Sequence, residues 1–233
     1  MSDTAEHRVA VVVLAAGSGS RVGAEVNKVL LRVGDMPVVA RSVRTACETP
    51  GVRRVVLVVR AGEQDAVQHA VEPHLPASGP EVAMVVGGAT RHRSEWAALA
   101  LLAPDIEAGA IGVVAMHDAA RPLASRTLYQ KVLATAARVG GAIPVAPLTD
   151  LVAIDGSELP ATLVGVQTPQ AFRATELLAA HRAASADGFE ATDTAGCLAA
   201  YADVVIGAVE SDAGNLKVTV PDDLPVAEAL SGP

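Results

Sequence analysis

Val9-Ala10-Val11-Val12-Val13-Leu14 runs directly into Ala15-Ala16-Gly17-Ser18-Gly19-Ser20-Arg21, and Lys28 follows shortly after. The apolar run reads as a buried strand. A strand opening into small residues and glycines lets backbone N–H groups approach whatever sits above it, as in sites that cradle phosphate chains. Arg21 and Lys28 add two positive charges to the same loop. The chain carries a formal net charge of -8, so two cations here point to a small polyanionic ligand. No Gly-Lys-Ser/Thr follows, which excludes a Walker A loop. Gly17, Gly19 and Gly23 come near the spacing of a dinucleotide-binding turn. However, Ala15-Ala16 displaces the first glycine from the strand, and Lys28 arrives before any clear helix.

Outward from this loop, β-branched runs alternate with amphipathic patterns. Strands are expected at Val9–Leu14, Val55–Val59, Val82–Val86, Ile111–Met116 and Ala142–Val145. Helices are expected at Pro37–Glu48, Glu63–His74, Arg93–Ala103 and Ser125–Val139. Such alternation predicts an α/β fold, Rossmann-like, with a mostly parallel sheet and helices on both faces. Ligands then bind beyond the carboxyl ends of the strands. The pattern breaks between Pro147 and Pro169. Leu151–Ile154 and Leu163–Val166 flank Asp155-Gly156, which reads as a hairpin, or β-arm, at about residues 147–170. Helices near Ala174–Ala184 and Asp193–Tyr201, a strand at Val204–Val209 and a helix from Pro221 complete a single domain over residues 1–233.

Composition agrees. The 233 residues are 51% hydrophobic but only 2% aromatic, so the core is built from Val, Leu, Ile and Ala. That suits a sheet covered on both faces. The acidic balance argues against a nucleic-acid or membrane-surface binder. Met1–Arg8 has no secretory apolar region and no run is long enough to span a bilayer, so a cytoplasmic protein is expected. Cys47 and Cys197 fall in helical patterns and read as buried free thiols rather than a disulfide or a metal site.

Three further clusters follow strands or sit near the C-terminus. Gly87-Gly88-Ala89-Thr90-Arg91-His92-Arg93-Ser94 allows close approach to a flat ligand such as a nucleobase, with Ser94 capping or starting the next helix. In His117-Asp118-Ala119-Ala120-Arg121-Pro122, Asp118 is placed to hold Mg²⁺ together with phosphates and water, and Arg121 to clamp a phosphate or to pair with Asp118. In Gly214-Asn215-Leu216-Lys217-Val218-Thr219, apolar neighbours turn Lys217 inward.

Taken in order, Ala-Ala-Gly-x-Gly-x-Arg, the following Lys, Gly-Gly-x-x-Arg-x-x-Ser, His-Asp-Ala-Ala-Arg-Pro, Gln-Thr-Pro-Gln-x-Phe and Asn-Leu-Lys-Val-Thr resemble the 2-C-methyl-D-erythritol 4-phosphate cytidylyltransferase family from about Val9 to Ala229. The resemblance implies an enzyme that joins CTP to a sugar-alcohol phosphate, releases pyrophosphate, uses Mg²⁺ and dimerises through the β-arm. It implies that Ala15, Ala16, Gly88, Ala89 and Ser94 hold cytosine and ribose, and that Gly17 and Gly19 wrap the triphosphate. Arg21, Lys28 and Lys217 would neutralise it as the catalytic cations, Asp118 would bind the metal, and Arg121, Thr168 and Asp150 would face the acceptor. The chain departs from the family pattern on the acceptor side. Asp150 is followed by Leu151, Val152 and Ala153 rather than by Thr and a basic residue, and no Arg lies near Pro160. Asn27 replaces a Pro, and Thr192-Asp193-Thr194 replaces Thr-Asp-Glu. The acceptor thus stays open between methylerythritol phosphate and another polyol phosphate such as ribitol 5-phosphate. A CTP-binding paralogue without turnover and an NADP-linked reductase are the readings from other classes.

Overall fold

The computed structural model describes residues 8–17, 27–148, 151, 153–159 and 163–232. Its centre is one eight-stranded sheet in the order β10-β7-β9-β6-β1-β4-β5, with β8 paired to β7. The first strand, β1 (Val9–Leu14), lies between β4 (Val52–Val59) and β6 (Val113–Asp118) and runs parallel to both. Ala10, Val11, Val12 and Val13 are completely buried, because a strand paired on both edges and covered on both faces has no solvent side. Each such valine contributes about 1.5–3 kcal/mol of burial.

The two faces have separate cores. Val11 and Val13 pack with α1 (Val38–Glu48), α2 (Gln64–Val71) and α4 (Arg126–Val139). Ala10 and Val12 pack with α3 (Arg91–Glu107), α5 (Ala174–Asp187) and α6 (Thr194–Tyr201). Three helix starts carry recognisable caps, α3 beginning two residues before the expected Arg93. The side chains of Thr90, Ser125 and Asp193 accept the N–H groups of Arg93, Leu128 and Gly196. Pro37 sits immediately before α1. The parallel edge strand β5 (Glu81–Val86) pairs with β4. A small antiparallel pair, β2 (Arg32–Val33) and β3 (Met36–Pro37), stands apart from the sheet. The chain ends in α7 (Asp223–Leu230), two residues later than the expected start at Pro221.

The other half of the sheet is mixed. β9 (Gln170–Arg173) inserts antiparallel between β6 and β7 (Gly140–Pro147), and β10 (Val205–Glu210) runs parallel to β7. Gly140 joins α4 to β7 at φ 120°, and a Cβ there would stand 2.7 Å from Val204 Cγ1, so the corner needs glycine on both counts.

The expected hairpin takes a different form. β8 (Val164–Val166) pairs antiparallel with Val145–Pro147 of β7, not with Leu151–Ile154. Leu151 and Ala153 are not in a strand, and Ile154 and Asp155 form a turn closed by Gly156 N–H on Ala153 C=O at 3.0 Å. The reason is register: β7 continues past the sheet and offers a free edge nearer in space than the short apolar run beyond Pro147. Val152, Asp150 and Pro160 lie outside the described residues. Among the described residues, no helix is long and apolar enough to cross a membrane.

Candidate active site

Beyond the carboxyl ends of β1, β4, β5 and β6 lies a cavity of about 540 Å³, within the size range of small-molecule sites. It is lined by Ala15, Ala16, Gly17, Lys28, Gly88, Ala89, Ser94, Asp118 and Lys217 from among the residues singled out in the sequence. Backbone hydrogen bonds fix its floor. Ala15 N–H donates to Val58 C=O at 2.8 Å, Gly87 N–H to Val59 C=O at 2.8 Å, and Ala119 N–H to Leu14 C=O at 3.0 Å. Four strand ends are thereby laced into one wall. The wall is tight at Gly87, where a Cβ would come within 2.7 Å of both Ala16 Cβ and Ser94 Oγ. A Cβ on Gly17, by contrast, would meet open space, leaving room above this loop for a ligand.

The predicted cations reach the cavity by different routes. Asn27 is buried and organises the approach of Lys28. Its Nδ2 donates to Glu63 Oε2 at 2.7 Å and to Ala15 C=O at 3.3 Å, while Oδ1 accepts Val29 N–H at 3.2 Å. The departure from the family's Pro thus still anchors this turn. Lys217 enters from the opposite side and donates to Asp118 Oδ2 at 2.6 Å. Its strand-like segment is tied to the central loop by Val218 N–H on Ala120 C=O at 2.8 Å. Gly19 and Arg21 lie outside the described residues.

Asp118 is the only carboxylate among the described residues lining the cavity. Burial alone would raise its carboxyl, but Arg91, at 3.5 Å, and Lys217 together outweigh that and hold it down to about 2. It is therefore ionised at neutral pH. One carboxylate ringed by open space and cations fits a hard divalent cation that takes its remaining ligands from phosphates and water. It does not fit a cation enclosed wholly by protein.

Arg121 and Thr168 do not line this cavity. The Arg121 guanidinium donates to Asn215 C=O at 2.7 Å and so locks the Lys217 segment. Thr168 is buried; its Oγ1 accepts Asp118 N–H at 3.0 Å and stands 3.2 Å from His117 Nδ1. Burial lowers the His117 imidazole to about 4. The neutral ring can thus accept the Thr168 hydroxyl at Nδ1 and donate from Nε2 to Arg121 C=O at 3.2 Å. Both residues brace the Asp118 turn from behind. Asp150 lies outside the described residues. Ser94 does not cap α3, a role taken by Thr90. It sits in the first turn and donates to Thr90 C=O at 2.9 Å.

Two lining residues carry no role in the sequence reading. Arg60 follows β4 directly, where a polar residue after a strand signals the site. Arg91 opens α3 and bridges Glu95, Thr194 and Asp118. Its sequence signals are its place as the Arg of Gly-Gly-x-x-Arg-x-x-Ser and the i,i+4 spacing to Glu95.

A family model for 2-C-methyl-D-erythritol 4-phosphate cytidylyltransferase matches residues 9–232. The enzyme so named from Pelotomaculum thermopropionicum is 38% identical, with 96% of this chain and 94% of that protein covered. A bifunctional enzyme IspD/IspF from Rhodopseudomonas palustris is 36% identical over 93% of this chain, which spans 54% of that protein. The crystal structure of 2-C-methyl-D-erythritol 4-phosphate cytidylyltransferase from Thermus thermophilus aligns with TM-score 0.70 at 31% identity, covering 96% of this chain and 98% of that one. A structure from Anaerococcus prevotii aligns with TM-score 0.81 over 99% and 100%, and at 23% identity it speaks to the fold alone.

Proposed function

The chain belongs to the 2-C-methyl-D-erythritol 4-phosphate cytidylyltransferase family and is a cytidylyltransferase, and on that premise we propose how its cavity performs the transfer. The observation that carries the reading is the convergence of Asp118, Arg91, Lys28 and Lys217 on one cavity floored by Ala15–Gly17 and Gly88–Ala89. The small-residue floor receives cytosine and ribose, where side chains larger than Ala would exclude a flat ring. Gly17 and Gly19 wrap the triphosphate, and Arg21 adds positive charge against it. Lys28, Lys217 and Arg91 counter its charge. Asp118 would supply the protein ligand to Mg²⁺, and the ion would add positive charge against the triphosphate.

The acceptor phosphate oxygen attacks the α-phosphorus of CTP, the new P–O bond forms, and the bond to pyrophosphate breaks. No residue needs to form a covalent intermediate. The chain's contribution is positioning and charge placed in advance of the transition state. Lys217 is shared between Asp118 and the ligand space, which suits a cation that shifts onto the triphosphate as the site fills. Arg121, held through the Asn215 carbonyl, fixes the Lys217 segment and Thr168 the Asp118 turn, so both act on the acceptor side from behind the cavity, and Asp150 is assigned to the acceptor by the resemblance alone.

CTP with Mg²⁺ is expected to raise the melting temperature more than ATP, GTP or UTP with the same metal, and pyrophosphate release is expected with 2-C-methyl-D-erythritol 4-phosphate. Equal stabilisation by all four nucleotides would remove the cytidine assignment.

The β-arm supports a homodimer. Leu148, Leu151, Ile154, Val164 and Val166 are all exposed along it, Ile154 completely. A two-stranded extension of this kind needs a surface to pack on, and a second copy supplies one. Sedimentation at micromolar concentration should give a dimer, and a monomer there would remove this assignment.

A further inference from the structure

Behind the cavity wall, three helices meet at a group of unpartnered donor atoms. His92 lies in the first turn of α3, His181 on α5 and Cys197 on α6, all buried. One potential ligand atom from each lies within 4.8 Å of the other two, and among the described residues no other such trio converges. The two imidazoles are stacked with centroids 4.6 Å apart and planes 12° from parallel. All four of their ring nitrogens lack a hydrogen-bond partner. Glu95 Oε2 is also buried without a hydrogen bond and stands 3.4 Å from His181 Nε2.

Buried polar atoms are paired in the great majority of native structures, and a cluster of exceptions signals a missing ion or water. Water is a poor match here, because adjacent stacked imidazoles and a carboxylate leave several atoms competing for the same few protons. A metal ion takes one nitrogen from each imidazole together with the thiolate, once a ring turns out of the stack. Two imidazoles and one thiolate make three donors of a zinc site, and the Glu95 carboxylate stands beside them, 3.4 Å from His181 Nε2. Thiolate and carboxylate also balance a divalent charge in a buried position, where an unbalanced one would be costly.

We propose that His92, His181 and Cys197, with Glu95 beside His181, bind a borderline-soft divalent metal ion of the zinc class. This site is separate from the Asp118 position. A second cavity, of about 250 Å³, opens on His92 beside Trp96 and Phe189 and gives an entry path from the surface. The ion staples α3, α5 and α6 together. It also reaches the first cavity, because the other oxygen of Glu95 holds Arg91, which holds Asp118. Stapling the start of α3 keeps the Gly88–Ser94 loop in register with β1.

The test uses the full chain stripped with a chelator and titrated with Zn²⁺, then with Co²⁺. One equivalent of Zn²⁺ should raise the melting temperature. Co²⁺ should give a near-ultraviolet sulfur-to-metal charge-transfer band saturating at one ion per chain. Cys197→Ser should abolish the band, whereas Cys47→Ser and Asp118→Asn should leave it. Those controls separate this site from the other thiol and from the active-site metal. If Cys197→Ser does not fold, His92→Asn at the cavity rim serves instead, and should weaken Co²⁺ binding by more than about tenfold, a scale on which even supporting groups act. Absence of the band in the intact protein, its survival in Cys197→Ser, or a thermal shift that disappears with Asp118→Asn would each overturn the proposal.

Discussion

Lys217→Ala is expected to lower kcat roughly a hundredfold or more, as when a charge facing a transition state is removed. The fold should persist. The Lys217 side chain is 38% exposed, and its segment is held by backbone contacts at Val218 and Asn215 rather than by the ammonium. The loss does not come from protonation of Asp118. Burial tends to raise that carboxyl and Arg91 still opposes it in the variant, so its folded-state value climbs from about 2 but stays far below neutrality. The rate deficit should therefore be flat across near-neutral pH, and Mg²⁺ dependence should change little. Lys217→Arg is expected to restore only part of the rate, since a planar fork cannot occupy the point position of an ammonium 2.6 Å from Asp118 Oδ2. Steady-state rates at saturating CTP and Mg²⁺ decide it: near-normal kcat in Lys217→Ala would remove the catalytic role.

The legible parts of this protein are those where one physical rule acts on adjacent residues. β1 reads directly from Val9–Leu14 because burial on both faces permits no polar residue there. The floor at Ala15–Gly17 reads as well, because only small residues permit close backbone approach. β9 does not read. Gln170-Ala171-Phe172-Arg173 has no β-branched run and no clean alternation, and its antiparallel insertion is imposed by two neighbours far away in sequence. The arm misleads for a related reason: a turn at Gly156 was visible, but which edge β8 would meet depends on how far β7 continues. In the site, Asp118 and Lys217 stand out by their places after a strand and within an apolar run. Arg91 stands in a motif, but its role does not read because that role lies in contacts to Asp118 and Thr194, distant in the chain. Cys197 reads as an inert core thiol until the fold brings two histidines beside it.

Asp118→Asn is expected to separate metal use from nucleotide binding. The carboxylate has two tasks in the structure: it accepts Lys217 and pairs with Arg91, and it is the sole described acidic group in the cavity. An amide of the same shape keeps the backbone N–H on Thr168 but loses the charge. Turnover should fall by roughly a hundredfold or more, with the Mg²⁺ concentration for half-maximal rate rising. CTP binding in the presence of a chelator should hold or tighten, because Lys217 and Arg91 are released from their anion and a like-charged neighbour of the triphosphate is gone. Stability should move the other way. A carboxyl held at about 2 favours the folded state above the ordinary carboxylate range, and that contribution fades as pH falls through the folded value. The variant should thus unfold more easily than the parent near neutrality, with the gap closing in acid. Equilibrium CTP binding without metal, Mg²⁺ activation curves and urea denaturation at neutral and acid pH test the three parts. Unchanged Mg²⁺ activation would free Asp118 from the metal, and weaker metal-free CTP binding would mean that its ion pairs organise the nucleotide site rather than compete with it.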